Sequence, residues 1–314
     1  MQRLDSIREH IYHRYDEKYL KEILVAFSNQ KLDCSNFDIE NRNINKILNY
    51  FFEELIYKAK SKNGKYSPQE ILESDELLKM ALNYIDNHQS FYHKKSDEAN
   101  IRDFFFSSSL VGKVTNFNPV IARKIYERYA PFKGATIFDY SCGFGSRMLG
   151  ALSSEYEYYY IGVDPYKELY CRLLTFSNLI LTTLKTNAKS QIFNVGSEHF
   201  IPELIGKIDL SFSSPPYFNY EKYTESESQS YIKFPTYEEW LQNYVTVTIK
   251  NIYQYTKEGG LHLVNLEDTK RIKIIENWLD IALEEGFILD SIDVIPTLKR
   301  NTSKNESKLL VLKK

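Results

Sequence analysis

The reading of the fold turns on TIFDYSCGFGSRMLGAL, residues 136–152. A short β-rich run, Thr136 to Asp139, leads directly into Gly143 and Gly145, and a helical run follows over 146–153. Glycines at a strand–helix junction permit a tight turn and let a ligand approach the backbone. On either side the same grammar repeats. β-rich runs fall at 136–139, 158–164, 191–195, 208–213, 261–266, 287–294 and 308–314, and helical runs at 118–130, 146–153, 166–183, 236–257 and 271–285. Strand–helix alternation of this kind predicts an α/β, doubly wound, mostly parallel sheet. The last two strands have only a loop between them, so they are expected to pair antiparallel.

Residues 1–105 follow a different pattern. DEKYLKEILVAFSNQ and INKILNYFFEELIYKAKSK place apolar residues three and four apart, as amphipathic helices do. SPQEILESDELLKMALNYI opens with Ser67, Pro68 and Glu70, a capping-box start. An N-terminal all-helical region is therefore expected at 1–105, followed by the α/β domain at 106–314. The boundary falls in FFFSSSLVGKVTNF, residues 104–117.

Composition narrows the class. The 314 residues carry a formal charge of −2, so any nucleic-acid surface has to be a local patch. The 25 tyrosines supply many stacking faces. Cys34, Cys142 and Cys171 are far apart and form no CxxC pair, which argues against a disulfide framework or a zinc site, and the histidines show no metal spacing. The first twenty residues are charged and lack the apolar core of a signal peptide, and no run has the length of a membrane span. A cytoplasmic setting is expected, with no metal and no membrane.

In such sheets ligands bind outside the carboxyl ends of the strands, near the switch point. The strand at 158–164 ends in Asp164, where a carboxylate can grip the two hydroxyls of a ribose. The run 191–195 leads to Gly196-Ser197-Glu198, placed to frame an adenine edge. The strand at 208–213 ends abruptly in Ser214-Pro215-Pro216-Tyr217. Proline donates no ladder hydrogen bond, so a central strand must stop there.

FNPVIARKIYERY, DYSCGFGSR, VDP and SPPY, in that order, resemble the S-adenosylmethionine-dependent methyltransferases that modify exocyclic amino groups of DNA bases. The resemblance spans roughly residues 115–314. It looks most like phage-type members in the SPPYFNYEKY run, followed by ESQS and YEEW. The resemblance implies a Rossmann-like methyltransferase sheet with S-adenosylmethionine as cofactor. Asp139, Gly143 and Gly145 would hold its methionine and ribose portions, Asp164 the ribose hydroxyls, and Ser197 or Glu198 the adenine. Phe117, Asn118 and Pro119 would meet its amino-acid end. Tyr140 and Ser141 stand where the family has proline and phenylalanine, which removes an apolar wall beside the cofactor. Arg147 replaces a small residue, and either pairs with an anionic part of a ligand or lies solvated in the first helical turn.

For the chemistry, an exocyclic amino nitrogen is a poor nucleophile because its lone pair is delocalised into the ring. Two acceptors taking its two N–H hydrogens redirect that lone pair and stabilise the developing positive charge. Ser214 Oγ and the Pro215 carbonyl are the expected acceptors, Pro216 helps preorganise the loop, and Tyr217 offers a flat face to a base swung out of the stack. In the family it resembles, serine in the first position is commoner in cytosine N4 enzymes and aspartate in adenine N6 enzymes, so the resemblance implies cytosine N4 ahead of adenine N6. The expected partner is nucleic acid, double-stranded DNA with a flipped base, in a bacterial or phage-infected cell. RNA, another planar amino or amide substrate, and a non-catalytic binding or regulatory role remain open. The polar segment 218–235 reads as a lid or a solvated loop. Lys299, Arg300 and Lys304, in a basic tail, are candidates for phosphate contact. Residues 1–105 are expected to engage DNA, a protein partner or a second copy.

Overall fold

Seven runs join into one sheet in the computed structural model, which describes residues 2–94, 96–268, 272–295 and 307–314. The strands are β1 (Thr136–Asp139), β2 (Tyr159–Val163), β3 (Lys189–Phe193), β4 (Ile208–Ser213), β5 (Thr256–Leu266), β6 (Ile288–Ile295) and β7 (Ser307–Lys313). Their order is β3-β2-β1-β4-β5-β7-β6. The pairs from β3 to β5 are parallel, and β7 runs antiparallel to both β5 and β6. The expected doubly wound sheet with an antiparallel end is the one observed. Its chain order reverses between β1 and β4, where Ile137 pairs with Leu210 and Phe138 with Ser211.

Alternation along the strands supplies both faces of the sheet. Ile137, Phe212, Leu263, Leu309 and Val311 bury into one apolar cluster, while Phe138, Val264, Leu266, Leu310 and Leu312 bury into another. The first cluster is continuous with the helices of the N-terminal region, from Leu4 through Phe27, Phe52 and Phe105. Phe51 and Phe52 meet Phe176 with ring centroids 4.8 and 5.4 Å apart. Arg172 reaches back from the helix Lys167–Leu184 to the Phe51 carbonyl at 2.9 Å, and the fully buried Lys124 pairs with Glu40 at 2.8 Å.

The structure corrects three local expectations. The capping box at Ser67 is present, but a second cap at Ser74 splits that stretch into the helices Pro68–Glu73 and Asp75–Asn87. The predicted helix 236–257 contains a π-turn, Leu241–Val245, between Tyr237–Trp240 and Thr246–Tyr255. The strand expected at 261–266 starts already at Thr256, directly after the helix ends at Tyr255, and takes in the glycines at 259 and 260. They lie within β5, where the register jumps from Ile208↔Thr256 to Leu210↔Leu261.

The N-terminal region is helical apart from Lys60–Ser61, which pairs antiparallel with Glu221–Lys222 beyond the SPPY loop. The segment around Lys60–Ser61 also exchanges hydrogen bonds with the boundary segment: Ser61 N donates to Gly112 O at 2.7 Å, and Gly112 N donates to Tyr66 O at 2.8 Å. Gly64 and Gly112 must both be glycine here, because a Cβ on Gly64 would lie 2.0 Å from the Gly112 nitrogen and one on Gly112 would lie 2.2 Å from the Ser61 carbonyl.

Candidate active site

The glycine loop leaves β1 and the SPPY loop leaves β4 side by side at the switch point, where open α/β sheets place their ligands. Gly143 and Gly145 have φ of +52° and +72°, left-handed values that glycine adopts without strain. A Cβ on Gly143 would meet nothing nearer than 3.9 Å, so this side of the loop is open to a ligand. On Gly145 it would press on Leu173 and Phe176 at 3.1 Å, so that glycine also serves helix packing.

Asp139 does not stand ready for the cofactor. Its carboxylate is fully buried and accepts from Arg147 Nε at 2.9 Å, Tyr160 OH at 2.8 Å, Ser213 Oγ at 2.8 Å and the Ser141 amide at 3.3 Å. Four donors fill its four acceptor positions. Arg147 is neither solvated nor offered to a ligand. It is buried, paired with Asp139, bonded to the Ser141 carbonyl and lies over the Phe117 ring. Together these groups brace the loop from beneath.

Asp164, at the end of β2, stands beside the glycine loop. The Gly143 amide donates to its Oδ2 at 3.1 Å and the Tyr166 amide to its Oδ1 at 3.0 Å, leaving acceptor capacity on each oxygen. Burial pushes its carboxyl up to about 7, against the pull of those two amides.

Other expected cofactor residues divide by role. Tyr140 points into the second cluster, donates to the Leu263 carbonyl at 3.2 Å and stacks on Trp278, so only its backbone faces the cleft. Ser141 Oγ lies 3.4 Å from Tyr244 OH, which is also hydrogen-bonded to Ser197. Ser197 Oγ meets Thr248 Oγ1 at 2.8 Å, and Glu198 curls over Gly196 to pair with Lys233 at 2.8 Å. Asn118 caps the helix Pro119–Tyr129, its Oδ1 accepting from Val120 N at 2.8 Å, and Pro119 is the first helical residue. Phe117 packs edge-on against Phe212.

At the SPPY loop, Ser214 Oγ lies 3.3 Å from Tyr217 OH, and Tyr217 OH donates to the Asn265 carbonyl at 3.2 Å. Burial raises the Tyr217 phenol, which therefore stays protonated. Pro215 is buried and Pro216 half-buried. Phe218 then takes φ +54° and drops between Tyr237 and Trp240, which turns the chain out toward Glu221–Lys222.

Tyr160, Ser213, Tyr244 and Asn265 belong to this site, and motif reading does not single them out. Tyr244 reaches Ser141 and Ser197 from the π-turn, and wide turns of this kind often mark functional sites. Beside the glycine loop, Tyr223 packs on Phe144 with centroids 5.9 Å apart. A cavity of about 380 Å³ opens there, lined among others by Lys58, Lys60, Lys222, Tyr166 and Tyr223. Lys299, Arg300 and Lys304 lie outside the described residues. Among the described residues no group of His, Cys, Asp or Glu is placed to hold a metal ion, and no helix is long and apolar enough to cross a membrane.

No protein-family model and no curated protein matches the chain. Solved structures do. TrmN from Thermus thermophilus is 16% identical with a TM-score of 0.42, covering 62% of this chain, which spans only 48% of TrmN. A SAM-dependent methyltransferase from Methanosarcina mazei is 14% identical with a TM-score of 0.43, covering 60% of this chain and 96% of its own. A TehB-like SAM-dependent methyltransferase from Corynebacterium glutamicum is 15% identical with a TM-score of 0.42, covering 76% of this chain and 100% of its own.

Proposed function

We propose that the chain is an S-adenosylmethionine-dependent methyltransferase acting on an exocyclic amino group of a nucleic-acid base, with DNA as the nucleic acid and cytosine N4 favoured over adenine N6. The observation that carries this reading is the juxtaposition of the two loops. An open glycine turn with an acceptor-bearing carboxyl beside it, at Gly143 and Asp164, stands next to a proline-stiffened Ser214–Tyr217 loop.

The residues present fit the cofactor. Asp164 keeps an open acceptor position on each oxygen for the two ribose hydroxyls, and the Gly143 side of the loop admits a chain lying against backbone. When bound, S-adenosylmethionine supplies a methyl group on a sulfonium; its C–S electron pair stays on sulfur as the amino nitrogen's lone pair takes the carbon. Ser214 Oγ and the Pro215 carbonyl receive the amino hydrogens and hold the nitrogen in line. A serine hydroxyl is too weak a base to remove a proton first, so the surplus proton leaves to water after transfer. Tyr217 supplies the stacking face. The neighbouring cavity carries both signs of charge, with Lys60 paired to Glu70 and Lys58 to Glu168, and residues 1–105 contribute to its wall through Lys58, Lys60 and Glu70.

The test is transfer of a tritiated methyl group to DNA and to RNA, followed by nucleoside digestion and mass spectrometry. N4-methylcytosine in DNA is expected. Label confined to RNA would move the reading to that substrate, and no cofactor binding with or without nucleic acid would end the enzyme reading. Ser214→Ala is expected to lower transfer roughly 100-fold with cofactor affinity retained.

A further inference from the structure

At the end of β5, next to the SPPY loop, sits a side chain that none of the roles above uses. Val264 pairs with Ser213 in the sheet, so Asn265 stands beside Ser214. Asn265 Nδ2 donates to Ser214 Oγ at 3.3 Å, and its backbone carbonyl accepts from Tyr217 OH at 3.2 Å. The phenol has a single hydrogen, spent on that carbonyl, so in the Ser214–Tyr217 contact of 3.3 Å the serine donates. Asn265 therefore sets the polarity of the triangle: Ser214 Oγ, accepting once from Asn265, has one lone pair left for a target N–H. The amide oxygen Oδ1 of Asn265, a residue only 6% exposed, is buried with no hydrogen-bond partner among the described residues.

An unpartnered buried acceptor is unfavourable, and natural interiors contain few. Here it lies beside Ser214 Oγ, which by the count above also keeps one lone pair for a donor. We propose that Asn265 is a further catalytic residue, whose Oδ1 shares with the Pro215 carbonyl the amino hydrogen that Ser214 does not take, while its Nδ2 orients Ser214. The inference rests on the methyltransferase reading. The target's amino group reaches Oδ1 by displacing the Tyr217 hydroxyl from its two long contacts, which frees the ring to stack. The site then selects a planar NH₂ group over a hydroxyl or ring carbon, because a lone O–H cannot satisfy both Ser214 and Asn265.

Single-turnover methyl transfer, cofactor titration and thermal melting are to be compared for the wild-type chain, Asn265→Asp and Asn265→Leu. Asn265→Leu is expected to bind cofactor and melt as the wild type does, yet transfer about 100-fold more slowly. Asn265→Asp, which keeps an acceptor and lets the Ser214 hydroxyl turn toward it, is expected to stay within about tenfold of the wild type. Should Asn265→Leu not fold, Asn265→Ala is read in its place. Undiminished transfer by Asn265→Leu, or an Asn265→Asp variant as slow as Asn265→Leu, overturns this proposal alone. A wild-type chain that binds cofactor and transfers no methyl to any nucleic acid overturns it together with the reading beneath it.

Discussion

With its carboxyl pushed up to about 7, Asp164 is largely protonated in the free protein just below neutrality. A carboxylate that accepts from both hydroxyls of a ribose must be ionised, so cofactor binding should expel a proton below that pH and none above it. Cofactor affinity is therefore expected to rise with pH up to about 7 and then level off, as calorimetry in buffers of differing ionisation enthalpy would show; a flat profile would remove Asp164 from the ribose. His262 is shifted downward instead, though acid again weakens what it holds. Trp278 Nε1, a donor only, reaches its Nε2 at 3.2 Å, so Nδ1 carries the hydrogen bonded to Ser211 Oγ at 2.9 Å. Burial lowers the imidazole to about 3. The stability held by this neutral ring is complete above the unfolded value of about 6.5 and is lost as pH falls from there toward 3, on the order of a few kcal/mol in urea titrations. Asp139 was legible as a strand-end acid, but not its saturation. Arg147 returns to it across a turn, and Tyr160 and Ser213 come from β2 and the end of β4, contacts that only the assembled sheet creates. Removing one partner of a buried pair strands the other charge, so Arg147→Met should destabilise the fold by about 3–5 kcal/mol by urea denaturation, and Asp139→Asn added to it should recover part of that loss.

Among the elements, β1 and β4 fall on the residues that the sequence indicates, because each is ended by chemistry that cannot continue a ladder, glycines in one case and prolines in the other. The elements that sequence reading misses lack such signals. The π-turn at Leu241–Val245 keeps helical composition throughout, and only the hydrogen bond from Thr246 N to the Leu241 carbonyl, five residues back, shows the wider turn. The ladder of Lys60–Ser61 with Glu221–Lys222 is too short to carry any period. Gly145→Ala should test the loop as an element, since it forces a left-handed φ on alanine and crowds Leu173 and Phe176. A loss of about 1–3 kcal/mol in thermal unfolding, with weakened cofactor binding, is expected. Gly112→Ala should act at a distance. Its Cβ collides with the Ser61 carbonyl, so it should disturb the segment that anchors Glu221–Lys222 and slow methyl transfer while leaving cofactor affinity intact.

Across the whole molecule, the change of pattern near residue 105 is real in the sequence, but the apolar cluster beneath it does not stop there. Helical periodicity shows that a segment has a buried face without naming what covers it. Here Phe27, Phe51 and Phe52 cover the face formed by Arg123, Phe144 and Phe176. A chain beginning at 106 should consequently expose that face, and it is expected to aggregate or to lack a cooperative melt by circular dichroism.

The ladder between Lys60–Ser61 and Glu221–Lys222 also sets an order of assembly. The Lys62–Asn219 contact beside it closes over 157 residues, so during synthesis the first strand emerges long before its partner exists. Until then its edge is an open template for another chain. The segment after the SPPY loop thus finds its partner only once the whole stretch between them has been made, and the SPPY loop is tethered to the N-terminal helices by a contact of long sequence separation.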